Sequence, residues 1–297
     1  EAQYDAEAKL LLAQKPFLAN ILVHTVKDYI GLNPCDVEKL IEGEPYISTI
    51  PVEPGFTNSV QIKGMNSENK VRNEGVAYFD ILFYVRTSDG LSKVIINIEA
   101  QKSEPIDYDV EMRGLYYAIR EVSSQLDREF DSQNYNDIKK VYSIWICMNE
   151  KDNMLEKIYL TKNDIIGISR WKDMYEIVNV VIIRLAKTLD LQTEHELHRF
   201  LGALFLPELS AEEKNDMLEN EFDIKMEGDR KELLKSMCNL SQGIKEQGIE
   251  QGRREERIST LVTFFKNDGT VAAAKQMLNS SDEDIKIAKE RLSMIEE

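Results

Sequence analysis

The sequence predicts a mixed α/β domain followed by a helical tail, and three observations carry that expectation. Two β-rich runs, residues 76–85 and 93–102, flank a turn signal at Asp89-Gly90. Apolar runs at 141–148 and 177–185 have the length and β-branched content of buried strands. Around these strands apolar residues recur at helical spacing, and after residue 225 the chain turns polar and rich in Gln-Gly.

Residues 6–30 read as two abutting helices, with Leu18, Ile21, Leu22 and Val26 at helical spacing and Pro16 in the first turn of the second. Residues 42–75 hold Pro45, Pro51, Pro54, Gly43, Gly55, Gly64 and Gly75, which signal irregular backbone with one short strand. The strand–turn–strand unit follows, then a helix over 106–128, a strand at 141–148, an ill-defined hairpin after 150, a strand at 177–185 and helices over 194–220. Gln242-Gly243, Gln247-Gly248 and Gln251-Gly252 mark a helical arm or linker, in which each glycine costs about 1 kcal/mol. Two short helices close the chain, one after Asp268-Gly269-Thr270 and one opened by Ser280-Ser281-Asp282-Glu283, which has capping-box spacing. The expected divisions are a domain over 1–225, the arm over 226–257 and a small helical segment over 258–297.

With 297 residues and 42% hydrophobic content the chain can bury a real core. No apolar run reaches the roughly 18–20 residues that cross a bilayer, since Asn179 and Arg184 interrupt the richest stretch. No basic-then-apolar leader is legible, so a cytoplasmic protein without membrane contact is expected. Three cysteines, Cys35, Cys147 and Cys238, are widely spaced and read as buried free thiols. His195 and His198 have the wrong spacing for a helical zinc-protease motif and read as residues of a surface helix. The formal net charge is −16, which leaves no electrostatic footprint for tight non-specific nucleic-acid binding; any such role must be local or metal-assisted.

Chemistry concentrates in the predicted hairpin. A turn centred on Asp89-Gly90 makes opposed residue numbers sum to 179, so Asp80 is expected to face Glu99. One face then collects Phe79, Ile81, Phe83 and Val85 with Val94, Ile96, Ile98 and Ala100; the other collects Tyr78, Asp80, Leu82 and Tyr84 with Ile95, Asn97, Glu99 and Gln101. Like charges directly opposed cost a few tenths to about 1 kcal/mol. A divalent cation would offset that repulsion, because carboxylates beside a carboxamide are hard oxygen ligands suited to Mg²⁺ or Mn²⁺. The alternative is a pair of carboxylates at a solvated sheet edge.

An acid on one strand, Glu-x-Gln on the next and a helix carrying Arg113, Tyr116 and Tyr117 resemble the PD-(D/E)XK nuclease superfamily. The resemblance is specifically to the PD-(D/E)XK nuclease family transposases, related to the recombination-promoting nucleases. Asn73-Glu74-Gly75, Phe79-Asp80-Ile81, Asn97-Ile98-Glu99-Ala100-Gln101, Arg113-Gly114-Leu115-Tyr116-Tyr117 and 141–145 occur in that family's order, and the Gln-Gly repeats also fit. The resemblance implies a restriction-endonuclease-like core of helix, three strands, helix and strand, with added C-terminal helices. It implies that Asp80 and Glu99 bind the metal, and that Gln101 stands where the superfamily usually has lysine. Gln101 offers only neutral hydrogen bonds, and Lys102 could replace a lysine there only through a bulge. Glu74 is the first candidate for a further acid, ahead of Glu42 and Glu44. Arg113 and Tyr117, i and i+4 on one helix, are implied to contact phosphate.

The expected activity is hydrolysis of DNA phosphodiester bonds by a metal-activated water, linked to recombination or mobile elements. Two other readings compete. The chain could be a catalytically silent scaffold that binds DNA or protein, or its tail could be the working part, a self-associating or partner-binding arm through which a homo-oligomer could form. Residues 270–291 could form a helix-turn-helix, but Asp282-Glu283-Asp284 would open its second helix with acids unsuited to DNA.

Overall fold

The computed structural model describes residues 2–47, 81–87, 90–99, 109–127, 129–130, 134–168, 175–188 and 195–296. The described elements are, in chain order, α1 (Ala2–Leu12), α2 (Lys15–Thr25), α3 (Pro34–Glu38), β1 (Ile41–Ile47), β2 (Ile81–Thr87), β3 (Gly90–Glu99), α4 (Val110–Ser123), β4 (Val141–Glu150), β5 (Met154–Tyr159), β6 (Val178–Ala186), α5 (Glu196–Phe205), α6 (Ala211–Asn220), α7 (Asp229–Lys266), α8 (Val271–Met277) and α9 (Asp282–Glu296). The chain divides into two compact units, residues 2–238 and residues 239–297. Among the described residues no helix is long and apolar enough to cross a membrane.

The first unit is built on a six-stranded mixed sheet in the order β1-β2-β3-β4-β6-β5. Strands β3, β4 and β6 run parallel, while β1, β2 and β5 are antiparallel to their neighbours. Strand side chains alternate between faces, so each apolar run feeds two cores. Ile81, Phe83, Val85, Tyr142, Ile144, Ile146, Val181, Ile183 and Leu185 lie in one core with α1, α2 and α5. Val141, Trp145, Cys147, Val178, Val180 and Ile182 lie in the other with Val110, Tyr117 and Ala118 of α4. Each fully buried Leu, Ile or Phe contributes about 1.5–3 kcal/mol of hydrophobic stabilisation.

Helix ends follow local chemistry. Pro16 occupies the first turn of α2, as the sequence predicts. Ser210 and Glu213 form a reciprocal capping box on α6. The last turn of α5 leaves carbonyls without helical partners, and Lys214 of α6 donates from Nζ to the Leu204 carbonyl at 2.9 Å. That lysine is buried, and burial lowers its pKa.

Several expectations change. The helix expected over 106–128 is α4, ending at Ser123. The hairpin after 150 resolves into β5, which skips β4 and pairs antiparallel with β6. Cys35 is exposed and Cys238 half-buried, so only Cys147 is a buried thiol. His198 is buried rather than on a surface helix, and its Nε2 lies 3.0 Å from the Met154 carbonyl oxygen. The amphipathic α5 turns His198 inward with Leu197 and Leu201.

The hairpin register also differs. Ile81 pairs with Ile96, Phe83 with Val94 and Thr87 with Gly90, so partner numbers sum to 177 rather than 179. Gly90, at φ 109, therefore pairs with Thr87 and opens β3 instead of sitting in the turn. The Thr87 hydroxyl donates to the Gly90 carbonyl at 3.0 Å and closes the ladder. A slip of two keeps every residue on its face, which is why Ile81, Phe83 and Val85 are buried as expected.

In the second unit, Ile258, Leu261, Ala274, Ile285 and Ala288 form a small core between the end of α7, α8 and α9. After α7 the Asp268 N–H bonds the Phe265 carbonyl and the Gly269 N–H the Phe264 carbonyl, a left-handed helix stop with Asp268 at φ 63. The cap of α9 is Ser281, whose hydroxyl accepts from the Asp284 N–H at 3.1 Å, one residue later than the expected Ser280. Glu283 and Asp284 both face Arg254 of α7, at 2.7 and 3.1 Å.

Candidate functional site at the end of the sheet

Helix α4 buries Val110, Gly114, Tyr117, Ala118 and Glu121, an i, i+4, i+7, i+8, i+11 stripe. Gly114 lets that stripe sit close to the sheet. A Cβ there would stand 2.7 Å from Val180 Cγ1 and 2.9 Å from Trp145 Nε1. Against this seat Tyr117 packs on Trp145, with ring centroids 5.6 Å apart. Trp145 in turn donates from Nε1 to Ser143 Oγ at 2.9 Å.

Arg113 and Tyr117 do project together. Arg113 Nε lies 3.4 Å from the Tyr117 hydroxyl, and the guanidinium carbon lies 5.5 Å from the Tyr117 ring centre and 5.3 Å from that of Trp145. Guanidinium over an aromatic face is attractive by cation–π electrostatics. Trp145 pairs with Asn97 across β3 and β4, and the next alternate pair is Glu99 with Cys147. The two helix residues therefore sit over the strand that neighbours the end of β3.

The row that starts at Glu99 continues across the sheet through Cys147 and Arg184 to Met154. Arg184 is the one charged residue in β6. Its guanidinium pairs with Glu111 in the first turn of α4, with Glu150 of β4 at 3.2 Å and with Glu156 of β5 at 3.9 Å. Burial opposes ionisation of Glu111, but a backbone hydrogen bond, the bond from Glu156 and the Arg184 guanidinium outweigh it and hold its pKa below the usual value. Burial, then the hydrogen bond and charge of Glu111, push Glu156 the other way. The two carboxyls therefore titrate together, and the first proton the pair takes up as pH falls goes to Glu156 rather than Glu111.

A raised folded-state pKa means that the Glu156 contribution to stability is fully present below its unfolded value of about 4.5 and is lost as pH rises through the folded value. The Glu156→Gln variant, which keeps a donor toward Glu111, is expected to match the parent in acid and to become the more thermally stable of the two as pH rises. Melting curves from pH 4 to pH 9 check this; identical pH profiles would contradict the joint titration.

Of the residues singled out from sequence, Asp80, Glu74, Gln101 and Lys102 lie outside the described residues, and for Glu99 the backbone alone is described. Glu42 is committed to an ion pair with Arg86. Among the described residues no group of three or more His, Cys, Asp or Glu side chains could hold a metal. The donor set Asp80, Glu99, Glu74 and Gln101 is oxygen-only, the chemistry that suits Mg²⁺ or Mn²⁺. Sequence reasoning missed the Arg184 cluster, although the one charged residue in a mostly apolar strand was its visible signal.

No curated protein and no solved structure matches the chain. The family model described as PD-(D/E)XK nuclease family transposase matches residues 51–256. That span takes in the hairpin, α4, the parallel strands and the Gln-Gly repeats, more than half of the 297 residues, and the chain belongs to this family.

Proposed function

We propose that the protein is a metal-dependent DNA endonuclease that hydrolyses phosphodiester bonds at the end of the β2–β3 hairpin, in a setting linked to recombination or mobile elements. Family membership supports a nuclease acting on DNA. The single observation that carries the reading further is the β3–β4 ladder, which pairs Glu99 with Cys147 and so puts its row on the face covered by α4. The observed partner sum of 177 departs from the 179 on which direct opposition of Asp80 and Glu99 was expected, and Asp80 itself lies outside the described residues.

In this reading residues 1–225 form a restriction-endonuclease-like domain, with α2, β1 to β3, α4 and β4 as its core and the later helices added. Asp80 and Glu99 hold Mg²⁺ or Mn²⁺, with Glu74 as a further acid. A bound ion there would supply a water of lowered pKa and positive charge against the phosphate. Gln101 orients the attacking water through neutral hydrogen bonds. Arg113 and Tyr117 fix the phosphate, and Lys102 adds positive charge beside it.

Incubating the full chain with supercoiled plasmid and Mg²⁺ or Mn²⁺ tests the proposal. The parent should nick or cut the plasmid, chelation should stop it, and the Asp80→Ala variant should be inactive. Equal activity in the two proteins refutes the assignment. Absence of both cleavage and any Mn²⁺-induced melting shift, with or without DNA, would favour the silent scaffold.

A further inference from the structure

We propose that Arg184 is a positioning residue of this site: by clamping the first turn of α4 it holds Arg113 over Trp145, beside the end of β3. The inference rests on the reading of that sheet end as the nuclease centre.

The geometry of α4 carries it. Successive helical residues are about 100° apart, so Glu111 and Arg113 emerge roughly 80° to either side of the buried stripe. One flank of the helix is tied to β6 through Glu111 and Arg184, and the other lies on β4 through Arg113 and Trp145. The stripe between them is seated by Val110, Tyr117 and Ala118, with Gly114 close against Val180 and Trp145. The two flanking ties lie on opposite sides of that seat, so loss of either lets the helix tilt toward the other.

Arg184 can serve as the fixed point because it is itself held from two further directions, by Glu150 of β4 and Glu156 of β5. A guanidinium has five donors in a rigid fork, so one side chain can tie three elements. Lysine has a point charge on a flexible stem and cannot reproduce that fork. If Arg184 supplied only charge, lysine would suffice.

The chain has two tryptophans, so a Trp171→Phe background makes emission report Trp145. In that background Arg113→Met should shift the Trp145 emission, and Arg184→Met should reproduce the shift although it lies on the other flank. Arg184→Lys should restore it only in part. The double variant should add nothing, since both changes remove the same arrangement. Binding of a fluorescent DNA duplex in the presence of Ca²⁺ should weaken about tenfold for Arg113→Met and show little further loss when Arg184→Met is already present.

Parent-like emission in a folded Arg184→Met protein overturns the proposal. So does an Arg113→Met cost that stays undiminished in the Arg184→Met background. If Arg184→Met fails to fold, Glu111→Ala cuts the same tie at the helix end and is held to the same two readouts. Emission that follows the clamp while the parent neither binds nor cuts DNA supports the clamp and refutes the nuclease reading instead.

Discussion

Gly114→Val is expected to cost about 3 kcal/mol of stability and to lower DNA cleavage with it. At this glycine α4 lies against the sheet so closely that even a single added carbon would meet Val180 Cγ1 at 2.7 Å and Trp145 Nε1 at 2.9 Å. Valine adds two more carbons and a β-branched side chain that helices disfavour. Both neighbours are buried, so neither has free space to retreat into. The helix must lift, which pulls Arg113 and Tyr117 from Trp145. Alanine regains up to about 1 kcal/mol of helix propensity and should be the milder change. Urea unfolding of both variants gives the ordering; a valine variant as stable as the parent would show that α4 is not seated as described.

Glu99→Gln is expected to reduce Mg²⁺-dependent cleavage by at least about a hundredfold while leaving the fold intact. Glutamine has nearly the same shape and can still accept a hydrogen bond, so what is lost is charge. Without metal the variant should melt at or above the parent temperature, because the proposed cation site loses one of its like charges. With Mn²⁺ the parent should gain melting temperature and the variant should not, since a ligand that binds only the folded state stabilises it. Equal metal-induced shifts in the two proteins would remove Glu99 from the cation site.

The strands that run through the middle of the sheet were legible because they are buried on both faces: the apolar runs of β4 and β6 have no polar alternation to confuse them. The edge strand β5 was not, since its residues are half exposed and mix Glu156 and Lys157 with Leu155 and Ile158. Its place beside β6 rather than β4 is a long-range choice that no local pattern encodes. The faces of the hairpin were readable from alternation, whereas its register depended on which two residues make the loop, and Gly90 suits the position after the loop as well as one within it.

The same contrast holds for the site. Arg113 and Tyr117 were found because their spacing of four is a property of one helix, and the structure brings them together. Glu111, Glu150, Glu156 and Arg184 come from four elements, so their meeting is tertiary and left only the isolated arginine of β6 as a trace. In the tail, the Gln-Gly repeats suggested a weak arm, yet they lie within α7, a helix of 38 residues. The charged pairs of Arg254 and Arg291 with acids across that unit help to hold its far end.

The alternation of side chains along β2 constrains how this hairpin can diversify. Because sides are assigned by parity, lengthening or shortening the β2 strand by a pair of residues leaves inward and outward positions as they were. A single-residue indel within the strand exchanges them instead, sending Tyr84 toward the core under α1, α2 and α5 and Phe83 toward the face of α4. Drift in this hairpin should therefore proceed by twos within its arms, with odd changes confined to the short connection at its tip.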